Sequence, residues 1–299
     1  MTRLAIFAHY DRRNEIEDYV IEYLKGLKKV AQDIIFVSDS DVKEEELSKI
    51  SNYVTHTIVG HHGEYDFGSY KRGYLWADEN NILKNYKELI FANDSCYGPI
   101  HPFEIMFKNM ENSQADFWGA TINDNKKFKT DEIRNHVQSF FVVYKHQVFN
   151  NECFKSFISS ITKQNSKEEV ISKYEIGLSI FLQEHGYKCD AFSKISKIIQ
   201  DSQAARFKQM ILKEQMPLLK RNVVLKKELK YVYPIGIRNL ISKTDYDFKL
   251  IEKDRKRNMA KTNSWKEFCY LLKHFRRRTI RISFKNGNIT LFNKITIRW

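Results

Sequence analysis

The chain has 299 residues and an apolar fraction of 42%, which suits one large domain with an appendage, or two domains, and excludes a disordered polymer. The net charge of +13 is uneven: residues 203–299 hold 25 Lys and Arg against 7 Asp and Glu, and residues 1–202 hold 25 against 30. A mildly acidic body with a strongly basic end points to a polyanionic surface, either nucleic acid or the anionic face of a membrane. No run of eighteen apolar residues occurs, so no membrane-spanning helix is expected.

The amino-terminal residues MTRLAIFAHYDRR have too short an apolar core for a signal peptide and predict a first strand ending in His9-Tyr10-Asp11. Ile16, Val20, Tyr23, Leu24, Leu27 and Val30 then recur at the spacing of an amphipathic helix. Residues 33–37 (DIIFV) form a second strand closed by Ser38-Asp39-Ser40-Asp41, and residues 54–60 a weaker third, followed by a loop, HHGEYDFGSYKRG. Leu89 to Ala92 is an apolar run typical of a strand buried on both faces, and it stops at Asn93-Asp94-Ser95 before a Tyr-Gly-Pro turn. Such an alternation predicts a mostly parallel α/β sheet, whose right-handed crossovers set Asp11, Asp39 and Asp94 along one rim. Open sheets of this kind bind ligands at that rim.

Further on, residues 103–110 predict a helix, residues 116–121 (DFWGAT) a short strand, and residues 138–144 (QSFFVVY) a strong strand. Residues 167–185 predict a helix with Val170, Ile171, Tyr174, Leu178, Phe181 and Leu182 on one face and Gly186 as its stop. From residue 203 the texture is basic and helical, with a pause at Tyr233-Pro234-Ile235-Gly236. The end, RISFKNGNITLFNKITIRW, alternates around Asn286-Gly287 as a type I′ β-hairpin does. The expected division is a sheet domain over residues 1–202 and a basic region over 203–299. Four scattered cysteines, Cys96, Cys153, Cys189 and Cys269, predict free thiols in a reducing compartment and no zinc site.

Several stretches bear chemistry. Asp94 is placed to hold a divalent cation that neutralises phosphate, although Asn-Asp-Ser is also ordinary turn composition. In the loop after the third strand, Gly63 and Gly68 permit close backbone approach, Asp66 supplies acceptors, and Lys71 and Arg72 can meet phosphate. Glu175 falls early in its helix, where the backbone dipole alone explains a carboxylate; facing the rim, it is a general base. Adjacent His61 and His62 do not face one site, so joint ligation of a metal is not expected. The basic stretches LLKRNVVLKKELKYVY and LLKHFRRRTIR are either solvated helix faces or surfaces for lipid head groups.

These motifs together resemble inverting glycosyltransferases of the GT-A fold, and more closely the rhamnan synthesis protein F family, bacterial transferases that build rhamnose-containing cell-surface polysaccharides. The likeness spans residues 3–192 and rests on LAIFAHYD, IIFVSDS, EYDFGSYKRG, LIFANDSCYGP, DFWGAT, QSFFVVY and YEIGLSIFLQEHGY. It implies a Rossmann-like, mostly parallel sheet flanked by helices. Asp39 then falls beside the nucleobase of a nucleoside-diphosphate sugar. Asp66 and Lys71 fall against its ribose, diphosphate or sugar, with further donor contacts at His9, Tyr10, Asp11, Gly63, Gly68, Asn93 and Ser95. The resemblance makes Asp94 the metal ligand, Glu175 the catalytic base, and Asp116 and Trp118 acceptor contacts. Where Asp-x-Asp is usual, Asn93-Asp94-Ser95 has a single carboxylate. Either one carboxylate holds Mg²⁺ or Mn²⁺, or Lys71 and Arg72 share the neutralisation.

The expected activity is transfer of a sugar, rhamnose from dTDP-rhamnose or another from a dTDP- or UDP-sugar, onto a polyprenyl-diphosphate-linked glycan. The expected place is the cytoplasmic side of the cell membrane, with the basic region against anionic lipid and no nucleic-acid partner. A nucleic-acid-binding protein would explain the charge but not the acidic strand ends. A nucleotidyltransferase would need two or three metal-binding carboxylates together, and Asn-Asp-Ser has one.

Overall fold

The computed structural model describes residues 1–124, 135–193, 203–225 and 233–258, and three strands beyond them. The body is a seven-stranded sheet built from β1 (Arg3–His9), β2 (Asp33–Ser38), β3 (His56–Val59), β4 (Glu88–Asn93), β6 (Phe117–Gly119), β9 (Phe141–Lys145) and β10 (Cys189–Ala191). Their order is β10-β6-β9-β4-β1-β2-β3. All neighbouring pairs run parallel except those of β9, which is antiparallel to both β4 and β6. A short antiparallel pair, β7 (Ile122–Asp124) with β8 (Asn135–Val137), lies between β6 and β9 in the chain, and this hairpin turns the chain back. This is the mostly parallel, helix-flanked sheet expected from the sequence.

Residues on successive strand positions bury on opposite faces, which is why the strands read as unbroken apolar runs. Ala5, Phe7, Ile34, Phe36, Ile90 and Ala92 face one core, and Leu4, Ile6, Ile35, Val37, Leu89 and Phe91 face the other. Each large apolar side chain so buried contributes about 1.5–3 kcal/mol. The second core is closed by α3 (Tyr65–Glu79), α6 (Glu152–Ser159) and α8 (Gly177–Glu184) through Phe67, Tyr70, Phe154 and Leu178. The first is closed by α1 (Asp18–Leu27), by α4 (Phe103–Met110) and by the region after residue 203.

That later region comprises α9 (Gln203–Glu214), β11 (Leu219–Lys220), α10 (Arg221–Leu225), α11 (Tyr233–Ile241) and α12 (Phe248–Asn258). Phe207, Met210, Leu218, Val223, Ile241 and Ile251 pack into the same core as β1 and β4. Its two-residue strand β11 pairs with β5 (Cys96–Tyr97), immediately after the Asn93-Asp94-Ser95 turn, and sets Lys220 opposite Cys96.

Three expectations differ from the structure. The stretch expected to be a loop is α3: Phe67, Tyr70, Tyr74 and Ala77 recur at helical spacing and are buried, while Gly68 and Gly73 disguise the periodicity. The expected pause at residues 233–236 is the start of α11, where a proline in the first turn is tolerated because its missing N–H has no partner there. The helix over residues 167–184 is continuous but contains a π-helical segment, Ile171–Ile176, between α7 (Lys167–Val170) and α8. Gly186, at φ +84°, follows it as expected.

The terminal hairpin strands pair as expected, β12 (Ile282–Lys285) with β13 (Asn288–Leu291), and a third strand, β14 (Ile295–Arg298), joins them. The turn residues Asn286 and Gly287, the stretch LLKHFRRRTIR and Cys269 lie outside the described residues. Cys96, Cys153 and Cys189 are free thiols. Among the described residues no helix is long and apolar enough to cross a membrane.

Candidate active site

A cavity of about 770 Å³ opens over the carboxyl ends of β1, β2 and β4, between the amino end of α3 and the π-helical turn. That volume is within the range of small-molecule sites. His9, Tyr10, Asp39, Gly63, Asp66, Asn93, Asp94, Ser95 and Glu175 all line it. Two of the three carboxylates expected along the rim, Asp39 and Asp94, therefore line it, and parallel neighbours fix them: Asp39 N donates to His9 O at 2.9 Å and Asp94 N to Ala8 O at 3.2 Å.

The acidic groups are held in different ways. Asp94 Oδ2 accepts from Tyr10 N at 3.0 Å; burial pushes this carboxyl up to about 6, against the opposing pull of Arg221. Asp66 opens α3 and accepts from Asn93 Nδ2 at 3.0 Å. Burial, and then the Glu175 carboxylate, raise it to about 6. Glu175 stands in the π-helical turn, well past the first helical turn, so helix-dipole stabilisation does not account for it. Its Oε2 accepts from Ser139 N at 2.8 Å and Ser139 Oγ at 2.6 Å. A π-bulge of this kind re-aims a side chain and recurs at functional sites. Asp39 accepts from the backbone of His62 at 2.6 Å and of Gly63 at 3.0 Å, which ties the loop after β3 to the rim. Gly63, at φ +67°, adopts a conformation that a side chain would strain. His9 donates to or accepts from Ser38 Oγ at 2.9 Å, and burial holds its imidazole neutral with a pKa near 4.

Six expected contacts are elsewhere. Arg257 of α12 holds both oxygens of Asp11, at 2.5 and 2.8 Å, and turns it away from the cavity. Because α3 is helical, Lys71 emerges on another side from Asp66 and donates to Ile161 O at 2.7 Å, while Arg72 pairs with Glu64. Gly68 is inside α3, where a Cβ would lie 2.7 Å from the His62 ring; its role is packing. Asp116 precedes β6 at the opposite edge of the sheet and accepts from Lys188 N at 2.8 Å and Gln147 Nε2 at 2.9 Å. Trp118 is core, 1% exposed.

Residues that were not singled out complete the wall: Ser139, Lys163, Lys167, Lys220 and Asn222. Lys220 stood in a basic stretch read as a solvated or lipid-facing helix surface. A strand pairing with β5, not a helix face, brings it to the cavity.

At the Asn93-Asp94-Ser95 turn a divalent cation finds one carboxylate, that of Asp94. Asn93 Oδ1 accepts from Ser95 N at 3.1 Å and Ser95 Oγ at 2.5 Å, Asp66 is tied to Asn93, and Asp11 is tied to Arg257. Among the described residues no group of three His, Cys, Asp or Glu gathers as a metal site requires. An ion beside Asp94 would complete its shell with water and phosphate oxygens, an arrangement Mg²⁺ accepts.

The model of rhamnan synthesis protein F matches residues 34–292. The chain belongs to the rhamnan synthesis protein F family. Among curated relatives, this family member is 28% identical over 184 residues to the uncharacterised protein y4gN of Sinorhizobium fredii, covering 62% of this chain and 46% of that one. It is 25% identical over 139 residues to the virulence protein VirA of Vibrio anguillarum, covering 46% and 42%. The chain thus spans less than half the length of these relatives. Among solved structures it is similar to core-mannan synthase A of Aspergillus fumigatus in its Mn/GDP form, at 15% identity and a TM-score of 0.37, covering 63% of this chain and 72% of that one.

Proposed function

We propose that this member of the rhamnan synthesis protein F family is an inverting glycosyltransferase that takes a sugar from a nucleoside diphosphate and places it on a hydroxyl of a growing glycan. The observation that carries the reading is Glu175, aimed from a π-helical turn into the cavity that Asp94 also lines, with one carboxylate oxygen fixed by Ser139. The other oxygen makes no hydrogen bond among the described residues. It is the natural acceptor for the proton of an incoming hydroxyl.

As the acceptor oxygen bonds to the anomeric carbon, its proton passes to Glu175, and the bond to the diphosphate breaks with its electron pair leaving on phosphate. Charge builds on the sugar in an oxocarbenium-like state. Asp66 and Asp94, each raised to about 6, are still largely ionised at neutral pH and supply acceptors for donor hydroxyls. A divalent ion held by Asp94, if bound, supplies neutralisation of the leaving diphosphate. The family's name motivates rhamnose, from dTDP-rhamnose, as the sugar. A polyprenyl-diphosphate-linked glycan as acceptor, and the inner face of the cell membrane as the place, extend the same reading from the basic end of the chain.

Calorimetry with dTDP, UDP, GDP and their sugars tests it. Binding of one diphosphate, weakened in Asp39→Ala, together with turnover of its sugar onto a lipid-linked glycan lost in Glu175→Gln, is expected. No binding of any of them would sink the transferase reading.

A further inference from the structure

The donor's diphosphate brings at least two negative charges into a cavity already holding Asp66, Asp94 and Glu175, so the site needs cations. Most of the described candidates are engaged elsewhere. Arg221 grips the buried Asp254 at 2.7 and 3.0 Å and lies 4.6 Å over the Tyr19 ring. Arg257 holds Asp11, Glu15 and Glu17. Lys71 and Arg72 point away. Lys163 and Lys167 line the cavity but are exposed side chains on the segment between α6 and α8.

Lys220 differs from all of these. The β11–β5 pairing fixes its backbone opposite Cys96, and Arg221 N donates to Ser95 O at 2.9 Å, so Lys220 is anchored beside the Asn93-Asp94-Ser95 turn. Its side chain is half-buried, lines the cavity and lies 4.5 Å over the Phe140 ring. Phe140 adjoins Ser139, the residue that holds Glu175, so the ammonium stands between the Asp94 turn and the base. It makes no hydrogen bond or ion pair among the described residues. A desolvated ammonium without a partner is costly, and burial lowers its pKa accordingly.

We infer that Lys220 is the donor-diphosphate ligand of this chain, doing by a protein cation the neutralisation that a single-carboxylate turn is poorly equipped to do through a metal. The inference rests on the transferase reading and deepens it. The three ammonium donors meet phosphate oxygens as the donor seats, and they stabilise the diphosphate as it departs. The cation belongs to the segment after residue 203, so the basic region completes the donor site.

The test is calorimetry of wild type, Lys220→Met, Lys220→Arg and Lys71→Met with the diphosphate that wild type binds and with its parent nucleoside, each in EDTA and in Mn²⁺. Thermal unfolding of each variant establishes that it is folded. Wild type should bind the diphosphate in EDTA. Lys220→Met should lose about ten- to a hundredfold in diphosphate affinity, the range for a hydrogen bond to a charged group, with nucleoside affinity unchanged. Lys220→Arg should recover part of it, and Lys71→Met should behave as wild type. Unchanged diphosphate binding in folded Lys220→Met, or wild-type binding that appears only with Mn²⁺, overturns the inference and leaves the transferase reading standing. Failure of wild type to bind any nucleoside diphosphate overturns both.

Discussion

The sheet body and the segment over residues 203–258 divide the chemistry of the site between them. The body, where acids outnumber bases, brings Asp39, Asp66, Asp94 and Glu175 to one cavity from strand ends and helix turns. The later segment, strongly basic, sends Lys220 into that cavity and Arg221 and Arg257 into the contacts beneath it. Part of its positive charge, Arg221 and Arg257, is therefore paired inside the molecule. Charge asymmetry along a sequence shows that opposite partners exist; it does not show whether the partner is a membrane, a nucleic acid or the other half of the same fold.

The difference yields predictions of graded size. Removing the body's proposed base should have the largest effect: Glu175→Gln is expected to lower transfer about 10²–10⁴-fold, with the donor still bound, as separate turnover and binding measurements would show. Equal losses in both would mean that Glu175 only shapes the cavity.

On the other side, Asp254 is fully buried and bonded to Arg221 and Tyr97. Asp254→Ala leaves that guanidinium with Glu17 at 4.0 Å as its remaining carboxylate and should destabilise the fold by about 3–5 kcal/mol in a urea titration. If the later segment only leaned on the body, the midpoint would barely move.

A smaller effect is expected for Arg257→Gln. It releases Asp11, Glu15 and Glu17 together and should cost about 1–3 kcal/mol, the order of hydrogen bonds to a charged group. The loss should shrink at high salt, because part of the cluster is exposed.

A further pair of effects follows pH. The His9 pKa in the folded chain is near 4, against an ordinary 6.5. The unfolded chain therefore takes up the proton first. The stability this neutral imidazole contributes is complete above pH 6.5 and is lost as pH falls toward 4. Asp66, raised from 3.8 to about 6, works in the opposite sense, since the folded chain holds its proton longer and stability falls as pH rises across that window. His9→Gln should therefore remove a positive slope of stability between pH 4 and 6.5, and Asp66→Asn a negative one. Parallel profiles for wild type and both variants would contradict the burial of these groups.

Much of the body is legible in the order of its residues. Buried strands announce themselves by continuous apolar runs, because both faces of a parallel sheet are covered, and polar residues must follow where the strand meets solvent. That logic reaches His9, Asp39 and Asn93-Asp94-Ser95. It fails at α3, where glycines and charges hide the Phe67, Tyr70, Tyr74 and Ala77 face, and with it the directions of Lys71 and Arg72. It fails also at Asp116, since a strand end chosen by composition has no stated direction: β6 presents its amino end there, away from the cavity.

By itself the sequence determined the layered α/β architecture and the acidic strand ends at Asp39 and Asp94, because these follow from local periodicity and from which residues can end a strand, while the family resemblance singled out Glu175. Only the tertiary structure decided that Ser139 holds Glu175, that Arg257 withdraws Asp11, and that Lys220 stands beside the Asp94 turn. Those pairings join residues far apart in the chain. Nothing in the spacing of a lysine records which distant backbone its strand will bond.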